Sequence, residues 1–181
     1  LKEKYGSSHY YYHLDLSNSE TLQKNLDEIS GEHKDITVII NNAGKTHDNL
    51  IFRMKNEQWS EVIQTNLNSN YQIIKSLLPN MLSNKYGKII GISSIVGSTG
   101  NPGQANYVAS KSGLVGLYKS IAMEVARRNI NVNVISPGFI SSPMTDKLNE
   151  DQKNSYLSRI PMMKFGNPKD VANLAYFLST A

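Results

Sequence analysis

Residues 36–44, ITVIINNAG, decide the fold class of this 181-residue chain. The run from Ile36 to Ile40 does not alternate with charged residues, which is typical of a strand buried on both faces of a sheet. The Asn-Asn-Ala-Gly stretch then ends the strand. The same arrangement returns at 88–92 (KIIGI), followed by two serines, and at 132–135, followed by Pro-Gly.

Helical patterns separate these strands. A further strand is predicted at 9–16, ending at Asp15, and Ser17 or Ser19 can cap the helix that follows it. Alternating strands and helices indicate βαβ units, whose right-handed crossovers place helices on both faces of a parallel sheet. The predicted fold is a single, doubly wound, Rossmann-like α/β domain. The remaining helices are predicted at 56–83, 105–127, 150–158 and 168–179.

Composition excludes several classes of protein. The chain has no cysteine, which excludes disulfides, thiolate metal sites and cysteine nucleophiles. The histidines show no metal-ligand spacing, and no apolar run approaches the roughly 18 residues of a membrane-spanning helix. The net charge of +4 comes from scattered lysines. This favours an ordinary basic enzyme surface over attraction to an anionic partner, and nucleic acid is not expected.

Polar residues or glycines follow each predicted strand. Ligands of doubly wound folds bind in the crevice beyond the carboxyl ends of the strands, so these positions should converge on one edge of the sheet. They are Asp15, Asn41–Gly44, Ser93–Ser94 and Pro137–Gly138.

Tyr107 and Lys111 lie four residues apart near the start of a predicted helix, so they share one helix face. A nearby ammonium group stabilises a phenolate and lowers its pKa, which makes such a pair a plausible proton donor. The spacing alone is weak evidence, because Tyr71 and Lys75 repeat it inside another helix. Each pair taken alone is better explained as a packed tyrosine and a solvated lysine.

The context of Tyr107 separates the two pairs. Ser94 stands thirteen residues before it, at the end of a predicted buried strand. The order strand–Ser–loop–Tyr-x-x-x-Lys resembles the active site of the short-chain dehydrogenase/reductase family. NNAG, Asn66 in QTNL and the Pro-Gly at 137–138 are similar to the family's other landmarks. The branch that it resembles most is 3-oxoacyl-[acyl-carrier-protein] reductase, through RMKNEQW (53–59), GNPGQANY (100–107) and NVISPGFI (133–140).

The resemblance implies roles for four residues. Tyr107 would donate a proton to the substrate's carbonyl oxygen, and Ser94 would stabilise the charge developing on that oxygen. Lys111 would lower the tyrosine pKa and hydrogen-bond the nicotinamide ribose. Asn66 would hold a water that links Lys111 to bulk solvent through a local distortion of its helix. Without the resemblance, a tolerated mid-helix asparagine and an ordinary turn serine are the better explanations.

The resemblance also implies NADP as the cofactor. Asp15 and Leu16 correspond to positions that flank the adenine, and residues 42–44 to the segment beside the adenosine ribose. Ser142 stands where the family usually has threonine and could still offer a hydroxyl. For NNAG, the alternative is a simple glycine turn. The implied cofactor residues are Asp15, Leu16, Asn42, Ala43, Gly44, Tyr107, Lys111, Pro137, Gly138, Ile140 and Ser142.

The implied partners are an acyl carrier protein and further copies of the chain. Lys85 and Arg128 correspond to basic positions that dock the acidic carrier, although solvated surface charge explains them equally well. The helices at 56–83 and 105–127 correspond to the family's main dimer interface, so a homotetramer is expected. Packing of these helices against their own sheet is the alternative.

The family's glycine-rich turn is missing from the sequence, since neither TGxxxGxG nor GxGxxG occurs. That turn normally places the cofactor pyrophosphate at a helix N-terminus. We therefore expect residues 1–181 to be one domain that is incomplete at both ends. NADP rather than NAD follows from the branch alone. The expected location is the cytoplasm in a bacterium, and the plastid or mitochondrion in a eukaryote.

Two other functions fit the same sequence. One is a short-chain reductase that acts on a different carbonyl compound. The other is a non-catalytic subunit that supports an active relative, which the missing glycine-rich turn favours. The presence of all four implied active-site residues opposes the second alternative, because an inactive scaffold has no chemical need for them.

Overall fold

A computed structural model of the protein describes residues 9–141 and 149–181. The sheet pairs Asn41 with Gly91 and Ile92 with Ile135, all in parallel, so the carboxyl ends of its strands meet at one edge. This confirms the predicted α/β fold with a parallel sheet. The strands, in sheet order, are β1 (Val38–Asn41), β2 (Gly87–Ile92) and β3 (Ile130–Ile135).

Helices connect and cover the strands close to the predicted positions. The predicted helix at 56–83 is interrupted in the middle by five residues of π-helix, Gln64–Asn68, called here the π-turn. Short 3₁₀ helices lie at Ile51–Arg53 and Ala126–Arg128. The α-helices are α1 (Ser19–Glu32), α2 (Asn56–Ile63), α3 (Ser69–Asn84), α4 (Val96–Thr99), α5 (Ala105–Val125), α6 (Glu150–Leu157) and α7 (Pro168–Thr180).

Apolar side chains cover the sheet on both faces because neighbouring strand residues point in opposite directions. Ile89 is fully buried in a large core with residues of α1, α3 and α5. Ile90, the next residue, is fully buried in a smaller core with Ala175 of α7. Helices therefore lie on both faces of β2. The predicted burial of 36–40 on both faces is wrong for β1, because Val38 and Ile40 are 37% and 47% exposed.

The predicted strand at 9–16 is wrong. These residues run without helical or ladder structure to a turn at 16–17, and no described residue pairs with them as a neighbouring strand. Tyr12 and Leu14 still pack against the larger core. The hydroxyl of Tyr12 donates to Glu32 over 2.8 Å. The side chains of Tyr12 and Leu14 are both partly buried, but a strand also needs a hydrogen-bonded neighbour.

Helix caps refine the boundaries. The side chain of Asn18, rather than Ser17 or Ser19, caps α1 by accepting from the amide of Thr21 over 3.0 Å. Asn167 and Asp170 form a capping box at the start of α7. None of the described helices is both long and apolar enough to cross a membrane.

Candidate active site

Ser94 lies in a turn that follows β2, and the residues directly before and after it are hydrogen-bonded to the end of β3 and the segment that follows it. The amide of Ser93 donates to the carbonyl of Ile135 over 2.7 Å, and the amide of Ile95 donates to that of Pro137 over 2.9 Å. The hydroxyl of Ser93 donates to the carbonyl of Lys111 over 2.8 Å. The turn is therefore fixed to the end of β3 and to α5, at the carboxyl edge of the sheet.

Tyr107 and Lys111 lie in the first two turns of α5, at the same edge. Lys111 is 4% exposed, and its Nζ donates to the carbonyl of Ile92, the last residue of β2, over 2.7 Å. The same Nζ lies 5.6 Å from the centroid of the Tyr107 ring. The helix thus brings the phenol, the ammonium group and the turn that carries Ser94 together.

Burial decides the protonation of this pair. It raises the pKa of the Tyr107 phenol, with a further increase from the charge of Asp48, while side-chain hydrogen bonding with Ser94 lowers it. The net direction is opposite to the lowering that the Tyr–Lys spacing predicts. Burial also lowers the pKa of Lys111 to about 8. The phenol is therefore protonated at neutral pH, the form that a proton donor needs.

Asn66 is fully buried in the π-turn, and its amide fixes the segment after NNAG. Its Nδ2 donates to the carbonyl of Lys45 over 2.9 Å and to the hydroxyl of Ser110 over 3.0 Å. Its Oδ1 accepts from the amide of Lys45 over 2.9 Å. Since the hydroxyl of Ser110 donates to the carbonyl of Tyr107 over 2.7 Å, Asn66 links the NNAG segment to the helix turn of Tyr107. The local helix distortion implied for Asn66 is present.

Thr65, next to Asn66, has a buried hydroxyl with no hydrogen-bond partner among the described residues. Most buried hydroxyl groups in proteins bond to another group or to an ordered water. The π-turn therefore contains a polar atom that an ordered water could satisfy.

A series of buried, hydrogen-bonded side chains ends at the π-turn, and no sequence pattern pointed to it. Asn41, at the end of β1, donates its Nδ2 to the hydroxyl of Tyr118 over 2.8 Å. That hydroxyl donates to Oδ1 of Asn70 over 2.8 Å, and Asn70 donates its Nδ2 to the carbonyl of Asn66 over 3.0 Å. All four residues are buried. No local pattern predicts this network, because its members are up to 77 residues apart.

Three clefts follow one another along the carboxyl edge. The first, between residues 11–16 and β1, includes Leu16 and residues 42–43. The second includes Ile92, Pro137 and Ile140. The third includes Gly138 and Ile140 and extends to residues 159–167. Asn42 lines the first two clefts and Ile140 the last two, whereas Gly44, Tyr107 and Lys111 line none of the three.

Asp15 and Ser142 are two further residues that the resemblance implies in cofactor binding. Asp15 is exposed beside the first cleft, where the hydroxyl and the amide of Ser17 bond its Oδ1 over 2.7 and 2.9 Å and lower its pKa. Ser142 lies outside the described residues.

The implied docking cations lie at the opposite edge of the sheet. Lys85 is exposed, two residues before β2, and Arg128 is exposed, two residues before β3. Because Gly87 pairs with Ile130, the two cations are neighbours at the amino ends of the strands. A six-residue strand spans about 20 Å, which separates them from Ser94 at the other edge.

Comparison with known proteins identifies the class. A profile described as short chain dehydrogenase matches residues 1–153. The 3-oxoacyl-[acyl-carrier-protein] reductase FabG of Haemophilus influenzae is 47% identical over 167 residues, which cover 92% of this chain and 69% of that protein. The proteins of the same name from Staphylococcus aureus and Escherichia coli K12 are each 42% identical, over 97% and 92% of this chain and 71% and 68% of their own lengths. The chain belongs to the short-chain dehydrogenase family and is an oxidoreductase.

Membership of this family implies a nicotinamide cofactor, and the carboxyl edge fits one. A Cβ added at Gly44 would lie 3.3 Å from Oδ1 of Asn66 and 3.4 Å from Nζ of Lys111, so the exposed backbone there passes close to both polar groups. Lys111 uses one of its three donors on Ile92, and the other two have no acceptor among the described residues. Those donors suit ribose hydroxyls, and the apolar walls of the second cleft suit a flat ring.

Proposed function

We propose that the protein reduces 3-oxoacyl groups carried on acyl carrier protein to (3R)-3-hydroxyacyl groups, with NADPH as the reductant. The observation that carries the proposal is the arrangement of the partly buried Tyr107, the buried Lys111 and the Ser94 turn at the carboxyl edge. Relatives that are 41–47% identical and named 3-oxoacyl-[acyl-carrier-protein] reductase support the choice of substrate. The choice of NADPH follows from the resemblance to that branch of the family.

The bound cofactor would supply a hydride to the carbonyl carbon. Tyr107, protonated at neutral pH, would donate its proton to the carbonyl oxygen. Ser94, in the turn that Ser93 fixes to α5, would hydrogen-bond the same oxygen as charge develops on it. Lys111 would hold the cofactor ribose with its free donors and return a proton to Tyr107. Its pKa of about 8 suits that transfer because it lies near the working pH.

Asn66 would position the groups that resupply the proton. Its side chain is fully engaged in holding Lys45 and Ser110, which supports a positioning role. The unpartnered hydroxyl of Thr65 supports a water in the same π-turn. Asn66 and that water would connect Lys111 to solvent.

The carrier would dock through Lys85 and Arg128, and the chain would form a homotetramer. The two cations lie about 20 Å from Ser94 within one chain, so a carrier docked there would need its long flexible arm or the active site of another subunit. The outer side of α5 supports close contact between copies. Most of its exposed residues are small or apolar, with Lys119 among them, and Met123 is 85% exposed; the small or apolar ones are Ser112, Gly116, Ser120 and Met123.

The proposal is tested by NADPH oxidation at 340 nm with acetoacetyl-carrier protein. We expect steady consumption, much slower consumption with NADH, and a weaker apparent affinity for the carrier in a Lys85→Glu/Arg128→Glu variant. Charge reversal of Lys24 and Lys34, two exposed lysines on and after α1, is the matched control.

Each failure points to one alternative. A folded protein that binds cofactor but reduces other carbonyl compounds would contradict the carrier-linked substrate. A folded protein that binds no cofactor would contradict the enzyme function and favour the non-catalytic subunit. An unchanged carrier dependence in the charge-reversed variant would contradict the docking site alone.

A further inference from the structure

The third cleft is an apolar cavity beside the candidate active site. It has a volume of about 830 Å³, within the usual range for small-molecule sites. Its wall begins at Ile95 and Val96, directly after Ser94. Its other apolar members come from residues 138–140 and 160–166, so the cavity extends from Ser94 away from the sheet.

The far wall of this cavity is fixed to the near wall by backbone hydrogen bonds. The amide of Gly166 donates to the carbonyl of Phe139, and the amide of Ser141 donates to the carbonyl of Gly166, each over 2.9 Å. Ile140 and Gly166 also form a parallel bridge. Residues 164–166 are therefore held against the segment that lines both the second cleft and the cavity.

Two cations line the cavity, one on each side of a tight turn. The amide of Met163 donates to the carbonyl of Ile160 over 2.8 Å, and Met163 has a φ of +51°, so the chain reverses here. Arg159 and Lys164 directly flank this turn, and both line the cavity. Both side chains are exposed.

Neither cation is neutralised by a described residue. Arg159 and Lys164 have no ion pair within residues 9–141 and 149–181, whereas Lys45 pairs with Glu61 elsewhere. Asp170 also lines the cavity, where its Oδ2 accepts from the amide of Asn167 over 3.0 Å in the capping box of α7, so the lining carries two cations and one carboxylate. An apolar cavity with two available cations at its rim suits a ligand that joins an apolar chain to an anion.

We propose that Arg159 and Lys164 bind the phosphate of a phosphopantetheine thioester whose acyl end lies at Ser94 and Tyr107. This inference rests on the proposed function and names a binding site for the arm of its substrate. A guanidinium fork and an ammonium point charge are the side chains that most often bind phosphate. The same phosphate occurs in the arm of an acyl carrier protein and in coenzyme A. Because the phosphate is the end of the arm that is attached to the carrier, a carrier held here would contact Lys85 and Arg128 of another subunit, not those at the opposite edge of the same chain.

The experiment compares two small substrates that differ in the phosphate alone. They are acetoacetyl-pantetheine and acetoacetyl-4′-phosphopantetheine, each followed by NADPH oxidation. We expect kcat/KM to be about tenfold higher for the phosphorylated substrate, which is the scale for two exposed charge-assisted contacts. In an Arg159→Ala/Lys164→Ala variant this preference should disappear through a higher KM, with kcat and the rate on acetoacetyl-pantetheine unchanged. Lys24→Ala/Lys34→Ala removes the same charge away from the cavity and should keep the preference.

Further substrates separate the two sources of the phosphate. An equal loss on acetoacetyl-carrier protein and on acetoacetyl-coenzyme A in the Arg159→Ala/Lys164→Ala variant would support the shared phosphate. A loss confined to the coenzyme A substrate would overturn the inference, because the cations would then contact its nucleotide phosphates.

Other outcomes distinguish this inference from the proposed function. Equal kcat/KM for the two small thioesters in the unmodified protein would overturn the phosphate site while the reductase activity stands. An equal loss of kcat/KM on both small thioesters in the Arg159→Ala/Lys164→Ala variant would also overturn it. The two cations would then stabilise the cavity itself and not bind the phosphate. Reduction of none of the thioesters, carrier-bound or free, would reject the proposed function itself.

Discussion

Two Tyr–Lys pairs with the same spacing lie in different surroundings in this molecule. In each pair the lysine Nζ lies 5.6 Å from the centroid of the tyrosine ring. Tyr71 is 49% exposed on α3 and Lys75 is exposed beside it. Lys111, in contrast, is 4% exposed, bonds the last residue of β2 and has its pKa lowered to about 8.

Helix spacing alone brings the lysine Nζ and the tyrosine ring together in both pairs, whereas burial is what lowers the pKa of Lys111. Four residues along any α-helix bring two side chains onto one face, which accounts for the equal ring distances. An exposed lysine stays hydrated, so it gains little from its neighbour. Lys111 loses that hydration because α5 begins at the carboxyl edge of the sheet and packs against it.

The largest effect is expected from removing the two phenol hydroxyls separately. Tyr107→Phe should lower turnover by about a hundredfold or more, because the proton donor is lost, while cofactor affinity remains. Tyr71→Phe should leave turnover within about twofold, since its hydroxyl is at the surface. Steady-state rates and cofactor titration measure both. Similar losses in the two variants would mean that the surroundings of Tyr107 are not what matters.

The second-largest effect is expected from replacing Lys111 and Lys75 separately, and the effect of replacing Lys111 depends on pH. Lys111→Met should lower kcat/KM by about tenfold or more, because the ribose donors are lost. The same change should raise the free energy of unfolding at pH 7 by up to about 3 kcal/mol, because it removes a buried charge. Lys75→Met should change the free energy of unfolding by less than about 0.5 kcal/mol at any pH.

The sign of this pH dependence follows from proton binding. Below about pH 8 both the folded and the unfolded chain protonate Lys111, so the cost of its burial is fully present. Between about pH 8 and 10.5 the unfolded chain binds more protons, so the unmodified protein gains stability relative to Lys111→Met. Denaturant unfolding at several pH values measures the gap. A gap that stays constant from pH 7 to 10.5 would contradict the lowered pKa.

A smaller effect is expected from the network below the π-turn. Asn70→Val should cost about 1–3 kcal/mol of unfolding free energy, because the hydroxyl of Tyr118 and the carbonyl of Asn66 each lose a partner. It should also lower kcat several-fold with KM unchanged, if the network positions Asn66. Tyr118→Phe combined with Asn70→Val should cost less than the sum of the single changes, because they remove both partners of one bond. Additive costs with an unchanged kcat would limit the network to a structural role.

The smallest effect on chemistry is expected on the outer side of α5, away from Lys111. No atom lies within 4 Å of a Cβ added at Gly116, so Gly116→Leu should leave the subunit folded and change its assembly instead. Light scattering after size-exclusion chromatography should show a smaller particle than for the unmodified protein. At Gly113, by contrast, an added Cβ would lie 2.8 Å from Leu67, so Gly113→Ala should act on stability. An unchanged tetramer in Gly116→Leu would exclude this side of α5 from the interface.

Local sequence patterns predicted most of the architecture. Mainly apolar runs at 36–40, 88–92 and 132–135 identified the three strands. Burial on both faces holds for β2, whereas Val38 and Ile40 of β1 are 37% and 47% exposed. Pro168 and Asp170 marked the start of α7 for an equally local reason, the unpaired amides of a helix terminus. The spacing of Ser94, Tyr107 and Lys111 indicated the site, and the fold brings them to one edge.

The tertiary structure decided everything that depends on distant partners. Residues 9–16 have the composition of a strand, but no described strand pairs with them. The Asn41–Tyr118–Asn70 network, the burial that sets the pKa of Lys111, and the shared rim of Arg159 and Lys164 have no local signature. Hydrogen-bond partners and dehydration are contributed by residues tens of positions away. The sequence by itself therefore determined which residues could do chemistry, and packing decided which of two identical pairs is placed to do it.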